Sequence, residues 1–381
     1  MKTIATTLLS VLMLASCSTR ATGNYPEQKP IRESEPVSCV HGGDISMLTL
    51  VEDNGGKYYW DGVQADCVKG LAANGFDIVR LRLYNDPGNP SYTPSKRLPK
   101  GYQDQADILR LAQRAKAEGL QIELTFHYSD YWTNGGQQVK PHDWSNLSGQ
   151  ELEQAVYDFT CQFLGKMKNQ GTLPEYISLG NESQAGILYP DGSVDNISTL
   201  CALYNAGAKA CREMAPAARI IIHSDDGGNL SKYQWLYSQL KSVDYDIIGT
   251  SYYPFWTGKN VSQFISFAEK ISAEMDKDIM IMETGYAWNP TLPSGWPGQL
   301  QHNKPYTEMT PQGQLDFMNE LFAAIDNSDK CRVVGVLYWD PIFIEAGDAG
   351  WETGGDNVVS NTTLFDFEGN ALPVFDAFRN H

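Results

Sequence analysis

Tyr176-Ile177-Ser178-Leu179, closed by Gly180-Asn181-Glu182-Ser183, is a brief apolar run that stops on polar groups. A parallel strand covered by helices has this form, because both of its faces are buried. Seven further runs share it: Gly43–Ser46, Ile78–Leu83, Ile122–Phe126, Ile220–Ile222, Ile247–Ser251, Ile279–Met282 and Val333–Tyr338. The segments between them carry helical spacing. They predict helices at Gln64–Asn74, Gln103–Glu118, Ser148–Lys168, Ile197–Met214, Lys232–Leu240, Val261–Met275, Pro311–Ile325 and Pro373–Phe378. In the second of these, Ile108, Leu109, Leu111 and Ala112 fall on one face and Gly119 offers a C-cap. Ser148 and Glu151 read as a capping box opening the third. Strands and helices in strict alternation predict an α/β fold, a (β/α)8 TIM barrel forming a single catalytic domain over residues 39–381. A doubly wound open sheet is the competitor; it would favour a glycine-rich phosphate loop after the first strand, and none is present.

The N-terminus reads differently. Lys2, the apolar run Ile4 to Ala15, and then Ser16-Cys17 have the layout of a signal peptide, too short for a membrane span. Leu14-Ala15-Ser16-Cys17 resembles a bacterial lipobox, which makes residues 1–17 the leader and Cys17 the lipidated residue. Residues 18–38 are polar, contain Pro26, Pro30 and Pro36, and read as a flexible tether.

The formal net charge is −17, from 46 acidic and 29 basic side chains, which argues against a nucleic-acid partner. A neutral polymer is not repelled by that charge. Tyrosines (20) and tryptophans (9) supply flat rings that can stack on sugars, although rings also fill ordinary cores. Beyond Cys17, the cysteines are Cys39, Cys67, Cys161, Cys201, Cys211 and Cys331, at spacings that match no zinc signature. Cys39 and Cys331 precede the first and last strands, neighbours in a closed barrel. A bridge between them is one outcome; free thiols are the other.

Catalytic groups of such barrels sit at the C-terminal ends of the strands. Here those ends carry Asp44 (strand one), Arg80 to Asp86 (two), His127 to Trp132 (three) and Asn181-Glu182 (four). His223 to Asp226, Ser251 to Pro254, Glu283-Thr284 and Tyr338 to Pro341 close strands five to eight. Glutamates on strands four and seven face one cavity from opposite sides of the sequence. A pair of carboxyls, one neutral and one ionised, is what glycosidic cleavage by retention uses. One glutamate alone would more often be a solvated or salt-bridged residue, so the signal lies in the pair.

Six blocks in this order are similar to those of the endo-β-1,4-galactanases of glycoside hydrolase family 53. They are Gly43–Leu48, Val79–Pro87, Phe126–Trp132, Leu179–Glu182, Ser251–Trp256 and Tyr338–Pro341, and together they span the predicted domain. The resemblance implies a retaining enzyme acting on β-1,4-galactan, the side chain of type I arabinogalactan in pectin. By matching position it implies that Glu182 is the acid/base and Glu283 the nucleophile. It further implies that Asn181 contacts the sugar 2-OH, that Arg80 lies beside Glu283, and that Tyr252 or Tyr253 donates to the nucleophile. Trp339 would be the sugar floor and Trp256 a platform further along. Asp44, His127, Asp130 and Trp132 would be substrate contacts. The plainer alternatives are that Arg80 or Arg82 braces the barrel interior, His127 is a rim residue, and Trp256 merely packs.

No cofactor is required by this chemistry. Glu345, Asp348, Glu352, Asp356 and Asn357 in the last loop offer hard oxygen ligands that would suit Ca²⁺, though an acidic exposed loop is the commoner origin of such a cluster. The expected partner is galactan or its oligosaccharides, met by a monomer. The membrane is touched only through the lipid anchor, on the bacterial outer membrane, with the cell surface favoured because a polymer is met outside. The rivals are a mannanase or cellulase of the same clan, and a surface glycan-binding lipoprotein without turnover.

Overall fold

The computed structural model describes residues 39–381. The predicted leader, the lipidation site Cys17 and the tether lie outside them. Eight parallel strands close on themselves: β1 (Val40–Asp44), β2 (Ile78–Leu83), β3 (Gln121–Phe126), β4 (Tyr176–Leu179), β5 (Arg219–Ser224), β6 (Ile247–Ser251), β7 (Asp278–Thr284) and β8 (Val333–Tyr338). Closure comes from β1, whose Gly42 pairs with Ile78 on one side and Leu337 on the other. A Cβ at Gly42 would lie 1.8 Å from the Ile78 carbonyl oxygen, so only glycine allows β1 and β2 this approach. Closure of the ring excludes the open sheet.

Outside the strands lie α1 (Cys67–Ala73), α2 (Gln105–Ala117), α3 (Gly149–Asn169), α4 (Ile197–Met214), α5 (Leu230–Gln239), α6 (Val261–Met275), α7 (Pro311–Asp326) and α8 (Phe375–Asn380). The logic of α2 is representative. Asp104 caps its start by accepting from the Asp107 amide, Ile108, Leu111, Ala112 and Ala115 are buried against the barrel, and Gly119 leaves it at φ +80°. Truncating Leu111 to alanine there would cost about 2–5 kcal/mol. The expected capping box of α3 does not form; Ser148 occupies the N-cap position without a side-chain bond. A box does form at α6, between Asn260 and Gln263.

Strand one is Val40–Asp44 rather than Gly43–Ser46. The Asp44 carboxylate accepts the Ser46 amide at 2.9 Å and turns the chain out of the sheet. The core has three parts, the smallest being Tyr253, Ala287, Leu300 and Trp339. An apolar layer of Val40, Ile78, Tyr176, Ile221, Ile247, Met280, Met282, Val334 and Leu337 forms one cluster, and a much larger cluster fills the space between strands and helices. Alternation along β2 sends Val79, Leu81 and Leu83 to the large cluster, leaving Arg80 and Arg82 for the barrel interior. Cys39 and Cys331 are both free thiols, so the bridge is not made. Among the described residues no helix is long and apolar enough to cross a membrane.

Candidate active site

The upper interior of the barrel is ionic. Arg80 and Arg82 are fully buried, and a buried cation survives only if paired. Arg80 Nη1 donates to Glu283 Oε1 at 2.8 Å, and its Nε lies 3.5 Å from Glu123 and 3.7 Å from Asp44. Arg82 Nη2 donates to Asp340 at 2.8 Å, with its Nε 3.3 Å from Asp44. Burial pushes the Glu123 carboxyl up to about 8, against the pull of Arg80. Burial likewise pushes Asp340 up to about 7, so full ionisation is disfavoured in a cluster of four carboxyls and two cations.

Above this cluster opens a cleft of about 850 Å³. Its lining runs from Tyr131, Trp351 and Glu352, on the loops after β3 and β8, to Asp225, Lys232 and Trp256, on the segments after β5 and β6. Glu182 and Glu283 lie in its middle. Gly180 leaves β4 at φ +85°, and Glu182 itself sits at φ +42°, a left-handed conformation that costs a side-chain-bearing residue about 1–3 kcal/mol. The bond from the Ser183 amide to the His223 carbonyl (2.7 Å), and that from Gln138 Nε2 to the Asn181 carbonyl (2.8 Å), hold it there.

The two carboxyls approach closely: oxygens of Glu182 and Glu283 lie within 4.8 Å of each other and of a His223 ring nitrogen. Their surroundings differ. Glu283 accepts from Arg80 at 2.8 Å and from the Tyr253 hydroxyl at 3.2 Å; burial raises its pKa while Arg80 opposes that rise. Among the described residues the Glu182 carboxyl accepts only from the Ser251 hydroxyl, at 2.7 Å, and burial together with the Glu283 charge pushes it up to about 8. The surroundings set the pair apart: Arg80 favours the ionised form of Glu283, whereas burial and the Glu283 charge favour the neutral form of Glu182.

The indole of Trp339 floors the middle of the cleft, with the Arg82 guanidinium 4.4 Å beneath its ring and also 4.9 Å from that of Trp132. Of the residues singled out in the sequence, Trp132, Asn181, Glu182, Tyr253, Trp256, Glu283 and Trp339 line the cleft. Arg80 lies beneath it and reaches both Glu283 and, at 2.7 Å, the Asn181 amide oxygen. Trp256 is 59% exposed, which fits a platform rather than a packing residue.

Four expected substrate contacts are placed elsewhere. Tyr252 points outward, stacked at 4.2 Å on Phe264 with its hydroxyl on the Lys259 carbonyl, because the alternation of β6 turns Ser251 and Tyr253 inward. Asp44 is taken up by the two arginines. His127 lies against Tyr84 at 4.2 Å with Nδ1 on the Thr133 hydroxyl. Asp130 accepts the Asp86 and His142 amides and ties two loops together. All four are buried and outside the cleft lining.

Sequence reading passes over Trp351, which packs 5.3 Å from Trp132 and donates to Asp340, and gives Ser251 and His223 a place at the strand ends but no role. The acidic groups of the last loop are not drawn together. Glu345 accepts from Ser360, Glu352 pairs with Tyr131, and Asn357 donates to main-chain carbonyls. Among the described residues, only Glu182, His223 and Glu283 bring three such side chains within reach of one ion. They do not fit one: both His223 nitrogens face protein partners and Arg80 already neutralises Glu283.

Two carboxyls in unlike surroundings above an aromatic floor, at the mouth of a parallel barrel, are the arrangement of a glycoside hydrolase. The profile described as glycosyl hydrolase family 53 matches residues 40–378, and the chain belongs to that family. It is 29% identical to an arabinogalactan endo-beta-1,4-galactanase of Cellvibrio japonicus, over 89% of this chain and 90% of that one. Identity to an endo-beta-1,4-galactanase of Bacillus subtilis is 27%, over 89% and 85% respectively. Among solved structures, a family 53 catalytic domain from Ignisphaera aggregans superposes with a TM-score of 0.85 at 34% identity, covering 92% of this chain and 98% of its own.

Proposed function

We propose that this glycosidase cleaves internal β-1,4-galactosidic bonds of galactan and type I arabinogalactan with retention of configuration. The observation that supports the mechanism is the approach of an oxygen of Glu182 to one of Glu283 within 4.8 Å, which fits the separation of about 5–5.5 Å that retaining enzymes use better than the about 6.5–9.5 Å of inverting ones. The names of the family relatives support the substrate, and the elongated aromatic cleft supports a polymer.

In the first half of the reaction Glu283, ionised beside Arg80, attacks the anomeric carbon of the sugar stacked on Trp339. Glu182 gives its proton to the departing oxygen. In the second half Glu182, now ionised, takes a proton from water, which displaces Glu283 from the glycosyl ester. Tyr253 and Arg80 hold the two oxygens of Glu283 throughout, so the attacking carboxylate needs no reorganisation. No cofactor enters either half. We further propose export and attachment to the outer membrane through a lipid on Cys17, which would present the cleft to extracellular polysaccharide.

The acid role of Glu182 has a measurable signature. Because kcat/KM requires Glu182 protonated, it should fall as pH rises through about 8, tenfold per unit. In Glu182→Ala this alkaline limb should vanish. That variant should lose about 10³-fold on galactan, and far less in glycosylation of aryl β-galactosides whose leaving groups need no proton. Equal losses on both substrates would sink the assignment.

A further inference from the structure

Glu182 must give a proton in one half of the proposed reaction and accept one in the other, so its support has to suit both forms. Its Oε1 accepts from Ser251 Oγ at 2.7 Å, and Ser251 Oγ lies 2.9 Å from His223 Nε2. On the other side of the ring, His223 Nδ1 lies 3.1 Å from Asn181 Oδ1 and 3.4 Å from the main-chain amide of Glu182. Asn181 Oδ1 also accepts from Arg80, whose other nitrogen reaches Glu283. The amide of Asn181 is oriented by its Nδ2, which donates to the Thr133 carbonyl at 2.8 Å. An unbroken run of hydrogen-bonding groups therefore joins the two glutamates through Ser251, His223, Asn181 and Arg80. All four intermediaries are buried, so water does not compete for them.

Taking Glu182 as the acid/base of the retaining mechanism, on which the inference rests, we propose that Ser251 and His223 are its positioning residues. They hold its Oε1 and govern how readily it parts with its proton. Burial and the nearby Arg80 charge keep His223 neutral. With its N–H on Nε2 the neutral ring donates to the Ser251 oxygen and Nδ1 accepts the Glu182 amide, which leaves the Ser251 proton for an ionised Glu182; with its N–H on Nδ1 it donates to Asn181 Oδ1 and accepts from the Ser251 hydroxyl. Ser251 correspondingly donates to an ionised Glu182 or accepts from a neutral one. A serine on an imidazole can serve both halves of the cycle; a fixed donor such as a main-chain amide would favour only the ionised half.

The charges facing Glu182 are Glu283 from β7 and Asp225 beyond β5, which oppose its ionisation, and Arg80 from β2, which favours it. Tyr253, beyond β6, is buried with its hydroxyl on Glu283. Among the described residues, Ser251 is the one neutral side chain that donates to the Glu182 carboxyl directly. Removing its hydroxyl takes a stabilising bond from the ionised form, so Glu182 should lose its proton at higher pH.

The test is the pH profile of kcat/KM on galactan for Ser251→Ala and Ser251→Thr beside the parent enzyme. In Ser251→Ala the alkaline limb should move up by about one pH unit, the worth of a hydrogen bond to a charged group. On an aryl β-galactoside with a good leaving group the acid limb of kcat should also move up by about one pH unit, since Glu182 must be ionised to act as a base. Ser251→Thr, which keeps a hydroxyl, should restore both. A limb that stays in place while kcat falls equally at every pH would overturn the proposal and leave Ser251 a packing residue. That outcome is distinct from failure of the acid/base reading of Glu182, which would show as equal losses in Glu182→Ala on galactan and on the aryl β-galactoside.

Discussion

Glu283→Ala should lower kcat on galactan by about 10⁴-fold or more, because in the proposed mechanism it removes the atom that bonds to the sugar. The loss should not come from unfolding. Glu283 lies near the end of β7, where the pairing already shifts register on both sides, and its removal relieves a buried charge rather than a packing contact, although it leaves Arg80 with fewer partners. The vacated space beneath the anomeric carbon would admit a small anion. Azide or formate should therefore restore turnover of an activated aryl β-galactoside, with a product of inverted configuration. Rescue with retained configuration, or a variant with near-normal turnover, would place the nucleophile elsewhere.

Arg80→Met is the second large effect, and it acts on stability as well as on rate. Arg80 sits among Glu283, Glu123 and Asp44, and loss of a buried partner leaves uncompensated charge costing about 3–5 kcal/mol. The sign with pH is set by the carboxyls. Burial already raises Glu123 and Glu283, and Arg80 is what holds them back. Without it their folded-state values rise further above the unfolded ones, so unfolding releases protons over a wider range and stability falls as pH increases. Urea unfolding across pH should show the gap between variant and parent narrowing in acid and widening towards pH 8. Activity should fall on the order of 10³-fold at neutrality, because Glu283 is then largely protonated and unheld. A pH-independent gap would mean that Arg80 is not what compensates the cluster.

Much of the fold is legible in the sequence because a buried parallel strand leaves a simple mark. The apolar runs ending at Leu83, Phe126, Leu179 and Tyr338 stop where the strands stop, and their number and order point to closure. The first strand slips because Gly42 and Gly43 carry no side chain to show alternation. The site is legible in part for the same reason. Glu182 and Glu283 come directly after apolar runs, so their position above the barrel can be counted out.

What cannot be counted is direction. Tyr252 and Tyr253 are adjacent and chemically equal, and only the pleat of β6 decides that Tyr253 meets Glu283. Asp130 and His127 look like substrate contacts because they are polar and near the mouth, yet loop amides and Thr133 claim them first. Ser251 and His223 are in view at the strand ends. Their significance lies in a chain of contacts that crosses β4, β5 and β6, which spacing along one sequence does not reveal.

That Glu182 and Glu283 cleave β-1,4-galactan with retention is tested most directly by proton NMR of a galactan digest. The new reducing ends formed in the first minutes, before mutarotation, should be β-anomers on oligosaccharides of several residues, with mannan and carboxymethylcellulose left intact. First-formed α-anomers, or release of oligosaccharides from mannan or carboxymethylcellulose but none from galactan, would contradict it.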